Sequence, residues 1–232
     1  MRVLKLDEMA EIIIVDAGST DSTIEVAKHH DFAKLIELGF VSKGRARNEG
    51  IKQAKGDIIV NIDSDVDILE GWFEQMMQSM QYTDIVAGFS PDPQGKNLSR
   101  VSILIEGQDI TFPTCNIAHR KAVFDKVGFF NETQNLAEDI EFNYRCVKAG
   151  YLIHYNPWMK LYHYQRQTKT GFAKQAFWNG EARYELNKLH PDMMHSHQHG
   201  ASLKNVLRLG FGAMGYVFGR YLRKKGEKVA SL

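Results

Sequence analysis

Glu11-Ile12-Ile13-Ile14-Val15-Asp16-Ala17-Gly18-Ser19-Thr20-Asp21 is a run of β-branched residues that stops at an acid and a glycine. A second stretch repeats the device, with Ile58-Ile59-Val60-Asn61-Ile62 ending at Asp63-Ser64-Asp65. Short apolar runs bounded by turn residues read as buried strands. Between the two, Asp21-Ser22-Thr23 caps a helix reaching about residue 30, and 34–38 forms a short strand. Residues 43–55 read as a loop entering a basic helix, closed by Gly56. Strand and helix signals alternate, which predicts an α/β fold: a mostly parallel sheet flanked by helices.

Further along, 70–80 reads as an amphipathic helix and 84–89 as a strand, and Pro91-Asp92-Pro93-Gln94-Gly95 as a surface turn ending the first half. The second half is less regular. Residues 120–127 and 139–149 read as helices, the latter closed by Gly150. Strands at 151–155 and 160–164 flank Pro157, and 171–189 is an aromatic-rich helix. The helix expected at 203–225 is apolar at Leu207, Leu209, Phe211, Met214, Val217, Phe218, Tyr221 and Leu222 and flanked by Arg208, Arg220, Arg223, Lys224 and Lys225. The expected organisation is a domain over 1–190, divided near residue 90, and a loop with a C-terminal amphipathic helix over 191–232.

The chain has 232 residues, 44% of them hydrophobic and 25% charged, enough apolar material for a substantial core. A net charge of +1 gives no reason to expect nucleic acid as a partner. Cys115 and Cys146 have no metal-like or redox-like spacing and read as free thiols of a reducing cytosol. The start, Met1-Arg2-Val3-Leu4-Lys5-Leu6-Asp7-Glu8, lacks the apolar core of a signal peptide. No apolar run approaches the roughly 20 residues of a membrane span. A cytoplasmic protein is expected, with peripheral contact on the cytoplasmic membrane face through the basic, apolar C-terminal helix as one option and packing on the core or a partner as the other.

In open α/β sheets ligands gather at the carboxyl ends of strands, and two acidic clusters there suggest a ligand carrying phosphate and metal. Mg²⁺ or Mn²⁺ takes oxygen ligands, typically one or two carboxylates plus substrate phosphates, and Asp63-x-Asp65 supplies such a pair. Asp67 reads as a cap for the helix after Glu70. Asp16 can accept from ribose hydroxyls or base N–H groups, whereas Asp21 reads as a helix N-cap. Lys43, Arg45 and Arg47 crowd cations at the positive end of a helix dipole; either an anion such as a diphosphate offsets this, or they form a solvated basic face. His163, in Tyr162-His163-Tyr164, is by itself as compatible with core packing as with ligation. His190, His195, His197 and His199 read as a solvated loop, and Phe172, Phe177 and Trp178 as core or the lining of an acceptor groove.

The ordered set Val15-Asp16-x-Gly18-Ser19-Thr20-Asp21, Ala46-Arg47-Asn48-x-Gly50-Ile51-x-x-Ala54-x-Gly56-Asp57 and Asp63-x-Asp65 resembles the family 2 glycosyltransferases of GT-A fold. Asn116-x-Ala118-x-Arg120, Val127-Gly128-x-Phe130, Glu138-Asp139-x-Glu141-x-x-x-Arg145 and Gly150-Tyr151 continue the resemblance, which runs from about Glu11 to His163. It implies a GT-A catalytic domain over 1–190, with a nucleotide-binding half (1–90) and an acceptor half (91–190). It implies transfer of a sugar, with inversion, from a nucleotide-diphosphate sugar to a hydroxyl acceptor of a glycan or a lipid-linked chain. By the same resemblance Asp65 holds Mg²⁺ or Mn²⁺ on the donor diphosphate, Asp63 contacts metal or ribose, and His163 completes the metal site. Asp16 and Arg47 then hold the nucleoside, Asp139 is the general base, and Glu138 orients it or touches the acceptor.

Two departures stand out. The family pattern opens with a strand and helix before the Val-Asp strand, and the ten residues before Glu11 are too few for such a crossover. Ala17 stands where an acid is common. The missing first unit favours an alternative, a non-catalytic remnant that binds nucleotide sugar or a partner glycosyltransferase, while Ala17 bears on recognition of the base. A nucleotidyltransferase is disfavoured because its Gly-rich phosphate loop is missing.

Overall fold

The β-branched run becomes β1 (Ile12–Asp16), which pairs in parallel with β2 (Ala33–Glu37) across α1 (Thr23–Lys28). A computed structural model supplies this structure and describes residues 9–93, 102–134, 136–164, 169–195, 210–218 and 220. Asp21 Oδ1 accepts from Thr23 N at 3.0 Å, as expected of an acid ahead of a helix start. The basic helix is α2 (Lys43–Gln53), with Ser42 Oγ accepting from Arg45 N. It ends at Ala54 in extended backbone, before Gly56.

A five-stranded sheet has the order β3-β8-β5-β9-β4. It comprises β3 (Ile58–Asn61), β4 (Val66–Ile68), β5 (Ile85–Phe89), β8 (Ile117–Arg120) and β9 (Ile153–His163). Of its contacts only β5 with β9 is parallel; β3 with β8, β5 with β8, and β4 with β9 are antiparallel. The sheet is therefore mixed, which corrects the expectation of a mostly parallel one. The reversals come from two short strands. β8 is four residues running straight into α4 (Lys121–Val127), so its pattern merges with the helix. β4 is three residues with Asp67 at its centre, and Asp67 accepts from Tyr164 OH at 2.6 Å and caps no helix.

Alternation along the central strands puts Ile85, Ala87 and Ile117 on one face and Val86 and Ala118 on the other. The first face packs with Ile51 of α2, Phe124 of α4 and Phe142 of α5 (Glu138–Lys148). The second is covered by Trp72 and Met76 of α3 (Trp72–Ser79). β9 is one strand where two were expected. Its register against β5 shifts between Gly88 and Phe89, and that bulge admits Pro157 and Trp158. At the bulge Gly88 lies so near Met159 O that a Cβ would stand 2.1 Å from it. Asn116 closes the seam, donating to Phe89 O and Met159 O and accepting from Trp72 Nε1.

A hairpin of β6 (Leu104–Ile105) and β7 (Gln108–Asp109) shares a third core with α5 and Leu186 of α6 (Lys169–Leu189). Beyond it, α7 (210–218) lies on α6, with Phe177 and Phe218 rings 5.2 Å apart. Phe177 is thus engaged in helix pairing. The side chains of Phe172 and His195, together with His197, His199 and the rest of the expected C-terminal helix, lie outside the described residues. Pro91 and Asp92 are buried, which corrects the surface turn expected there: Pro91 O accepts from His163 N. His190 lies in the connection after α6 as expected but is not a solvated residue there: its ring is tilted against Tyr144 at 4.1 Å, with Nε2 3.2 Å from Glu141 Oε1.

Candidate active site

β3 stops at Asn61 and β4 starts at Val66, so Asp63 and Asp65 lie on the loop where the chain turns back onto β9. The β4–β9 register pairs Val66 with His163, which brings that imidazole beside the loop. Tyr164 N donates to Asp65 O at 2.9 Å, fixing the loop from the next rung. As a result one oxygen each from Asp63 and Asp65 and a ring nitrogen of His163 lie within 4.8 Å of one another. His163 Nε2 is 3.4 Å from Asp65 Oδ1. Two carboxylates and an imidazole, all partly open to solvent, suit a hard or borderline divalent ion such as Mg²⁺ or Mn²⁺ with room for substrate oxygens.

The second acid pair opens α5. Its N-cap, Ala137, has a left-handed backbone, φ 58°, uncommon for a residue with a Cβ. Glu138, Asp139 and Glu141 fill the first turn, where the helix dipole favours negative charge. Burial and then the neighbouring Glu138 charge raise the Asp139 carboxyl from 3.8 to about 6. It is therefore ionised at neutral pH and a stronger base than an ordinary aspartate.

Arg47 joins the two acidic groups. Its Nη1 donates to Glu138 Oε1, and its Nη2 lies 3.4 Å from Asp63 Oδ1. The guanidinium also sits 5.8 Å above the Phe130 ring. Asp63, Asp65, His163, Arg47, Glu138 and Asp139 thus form one continuous set. Asp16 stands at the end of β1, outside these contacts. Its carboxylate accepts from Gly18 N at 2.9 Å and Ser19 N at 3.0 Å, and the Ser19 side chain and these amides hold it below its ordinary range. Gly18, φ 98°, is packed so closely under Phe40 that a Cβ would stand 2.8 Å from Phe40 N.

Asn48, part of the quoted motif but without an expected role, is buried and bonded to both backbone groups of Phe130. Its signal was an uncharged amide directly beside Arg47 on a helix otherwise rich in charge.

A mixed sheet with helices on both faces and an acid loop at its strand ends is the GT-A architecture. Residues 1–349 of S. aureus TarS in complex with UDP-GlcNAc superpose with a TM-score of 0.62 at 20% identity, over 93% of this chain and 66% of that one. The chain belongs to glycosyl transferase family 2, whose match runs over residues 2–185, farther toward both ends than the quoted motifs. It is 27% identical over 203 residues to the pre-mycofactocin glycosyltransferase of Mycobacterium tuberculosis (strain CDC 1551 / Oshkosh), covering 78% of this chain and 43% of that protein. It is 26% identical over 193 residues to the poly-beta-1,6-N-acetyl-D-glucosamine synthase of Staphylococcus aureus (strain COL), covering 72% and 46%. The chain therefore spans less than half the length of these two relatives.

Proposed function

We propose that this chain transfers a sugar from a nucleotide-diphosphate sugar to a hydroxyl acceptor, with inversion and with a divalent cation. The observation that carries this reading is the single set of side chains, with the Asp63, Asp65 and His163 ligand atoms within 4.8 Å and Arg47 leading from Asp63 to Glu138. Asp65, Asp63 and His163 are the residues to hold Mg²⁺ or Mn²⁺, which when bound offsets the charge developing on the leaving diphosphate. Asp139 takes the proton of the acceptor hydroxyl, an assistance worth roughly 10²–10⁴-fold. The hydroxyl oxygen bonds to the anomeric carbon as the bond to the diphosphate oxygen breaks, and the electron pair leaves on the diphosphate. Displacement from the face opposite the leaving group inverts that carbon.

We assign Asp16, at the end of β1 beside the tight Gly18 turn, to the nucleoside side of the donor. A UDP sugar is the donor we favour, because a structural relative is in complex with UDP-GlcNAc. The acceptor is a glycan or lipid-linked saccharide. The described α7 exposes Met214 and Val217 beside Arg220, and the basic residues that follow in sequence suit an anionic membrane surface. No helix among the described residues is long and apolar enough to cross a membrane.

Calorimetric titration with UDP, GDP and dTDP, with and without Mn²⁺, tests the reading, with Asp65→Asn as control and UDP-GlcNAc turnover measured on the same protein. Mn²⁺-dependent UDP binding, weakened at least about tenfold in the variant, is expected from the loss of one charged ligand. A folded protein that binds none of the three overturns it. Binding without turnover supports the non-catalytic alternative.

A further inference from the structure

Arg47 leaves the middle of α2 with 13% of its side chain exposed and ends between carboxylates from separate parts of the fold. Glu138 is itself buried, its side chain 7% exposed, and adjoins a second acid. A buried carboxylate beside a half-buried one is costly to ionise without a nearby cation. A planar guanidinium can offer one nitrogen to each of two acids, whereas an ammonium is a point charge without that fork. The stem of Arg47 is held in place by its surroundings. Phe130 lies under the guanidinium, and the next residue, Asn48, grips both backbone groups of Phe130.

We propose that Arg47 is a positioning residue: its two-pronged contact ties Glu138 to Asp63 and so fixes the opening of α5, where Asp139 takes the acceptor proton. This rests on the transfer reading above and adds to it a link between the metal loop and the base. It also differs from the nucleoside contact that the family resemblance implies for the same residue. The titratable groups facing Asp139 are Glu138, which raises its proton affinity, Arg47, which lowers it, and Cys115, whose thiol is pushed up by burial to about 12.

Carboxyl ¹³C NMR titration of Glu138 and Asp139 in the wild type, Arg47→Lys and Arg47→Met is the test, with UDP affinity and UDP-GlcNAc turnover on the same samples. In Arg47→Met the acid pair is expected to hold its last proton about one pH unit higher. UDP affinity and donor KM stay within roughly threefold, while kcat falls by about tenfold or more, as for a residue acting only on the reacting geometry. Arg47→Lys restores the titration and only part of kcat, and carries the test if the Met variant does not fold. Loss of UDP affinity with an unmoved titration overturns the proposal and makes Arg47 a nucleotide contact. An unmoved titration with unchanged turnover also overturns it. A wild type that binds no nucleotide fails the transfer reading instead, and the carboxyl titration still reads the Arg47 contact.

Discussion

Asn48 meets Phe130 as the rung of a ladder would, Nδ2 donating to Phe130 O at 2.9 Å and Oδ1 accepting from Phe130 N at 2.9 Å. The same amide reaches Glu132 Oε1 at 3.0 Å, and Ser42 Oγ donates to Glu132 O at 2.8 Å. Gly44 comes so close to Asn131 O that a Cβ would stand 2.8 Å away. Three points of contact along the first two turns of α2 therefore bind it to the loop that leads through Ala137 into Glu138 and Asp139. The motif around Arg47 is a clamp on the chain that carries the proposed base, so stability and site geometry depend on the same residues.

Asn48→Ala leaves a buried N–H and a buried C=O without partners, and is expected to cost about 2–4 kcal/mol. Urea denaturation reads this directly. A loss below about 1 kcal/mol, within the range of an ordinary surface change, shows that the pair does not hold the loop. Turnover in the folded variant falls as well, since the entry to α5 loses its support.

Asp139→Asn separates activity from stability. The native state holds the Asp139 proton to about pH 6, while the unfolded chain releases it near 3.8. For a carboxyl with raised pKa, stability is lost as pH rises between those values and is level above them. The wild type thus carries a cost of at most about 3 kcal/mol at pH 8 that is nearly absent at pH 4. The Asn variant is expected to melt higher than the wild type at pH 8 and equally at pH 4, while turnover drops by roughly 10²–10⁴-fold. A variant that melts lower at pH 8 contradicts the assignment.

The outer elements of this site were legible because each coincides with a change of local pattern. Asp16 and Asp63 end apolar runs, and Glu138 begins an amphipathic helix closed by Gly150, which adopts φ 89°. The connections between them left no local pattern, and the meeting of His163 with the acid loop was implied by the family resemblance alone. Arg47 and Glu138 are 91 residues apart, and a salt bridge at that separation leaves no periodic trace. His163 reaches Asp65 only through the β4–β9 register, and β4 is too short to show as a strand. The direction of β8 was hidden for the same reason, so the sheet read as parallel.

His119 sets the behaviour in acid. Its ring lies against Phe124 at 5.4 Å and Phe142 at 5.3 Å, and among the described residues neither ring nitrogen has a hydrogen-bond partner. Burial lowers it from 6.5 to about 3. The native state therefore refuses a proton that the unfolded chain accepts, and stability falls below pH 6.5 by about 1.4 kcal/mol per pH unit from this residue. His119→Leu removes that slope. Its acid unfolding midpoint is expected to move down by roughly half a unit to one unit, with stability at pH 7.5 unchanged or improved because no nitrogen is left unpaired. Superimposable acid transitions for the two proteins would falsify this.

The pairing of α6 with α7 depends on glycines. A Cβ on Gly180 would stand 1.8 Å from Gly212 O, and one on Gly215 would stand 1.8 Å from Phe177 O. The helices therefore cross with their backbones in contact, flanked by the Phe177–Phe218 and Tyr184–Tyr216 ring pairs. Neither Gly180→Ala nor Gly215→Val can be absorbed by a side-chain rotation, because the opposing atoms are backbone. The α7 segment is expected to undock in both variants and become the first site of limited proteolysis. UDP affinity should stay within about twofold, because sites without shared contacts vary independently. If instead the variants lose UDP affinity along with protease resistance, α7 supports the donor site, and the C-terminal segment belongs to the catalytic unit.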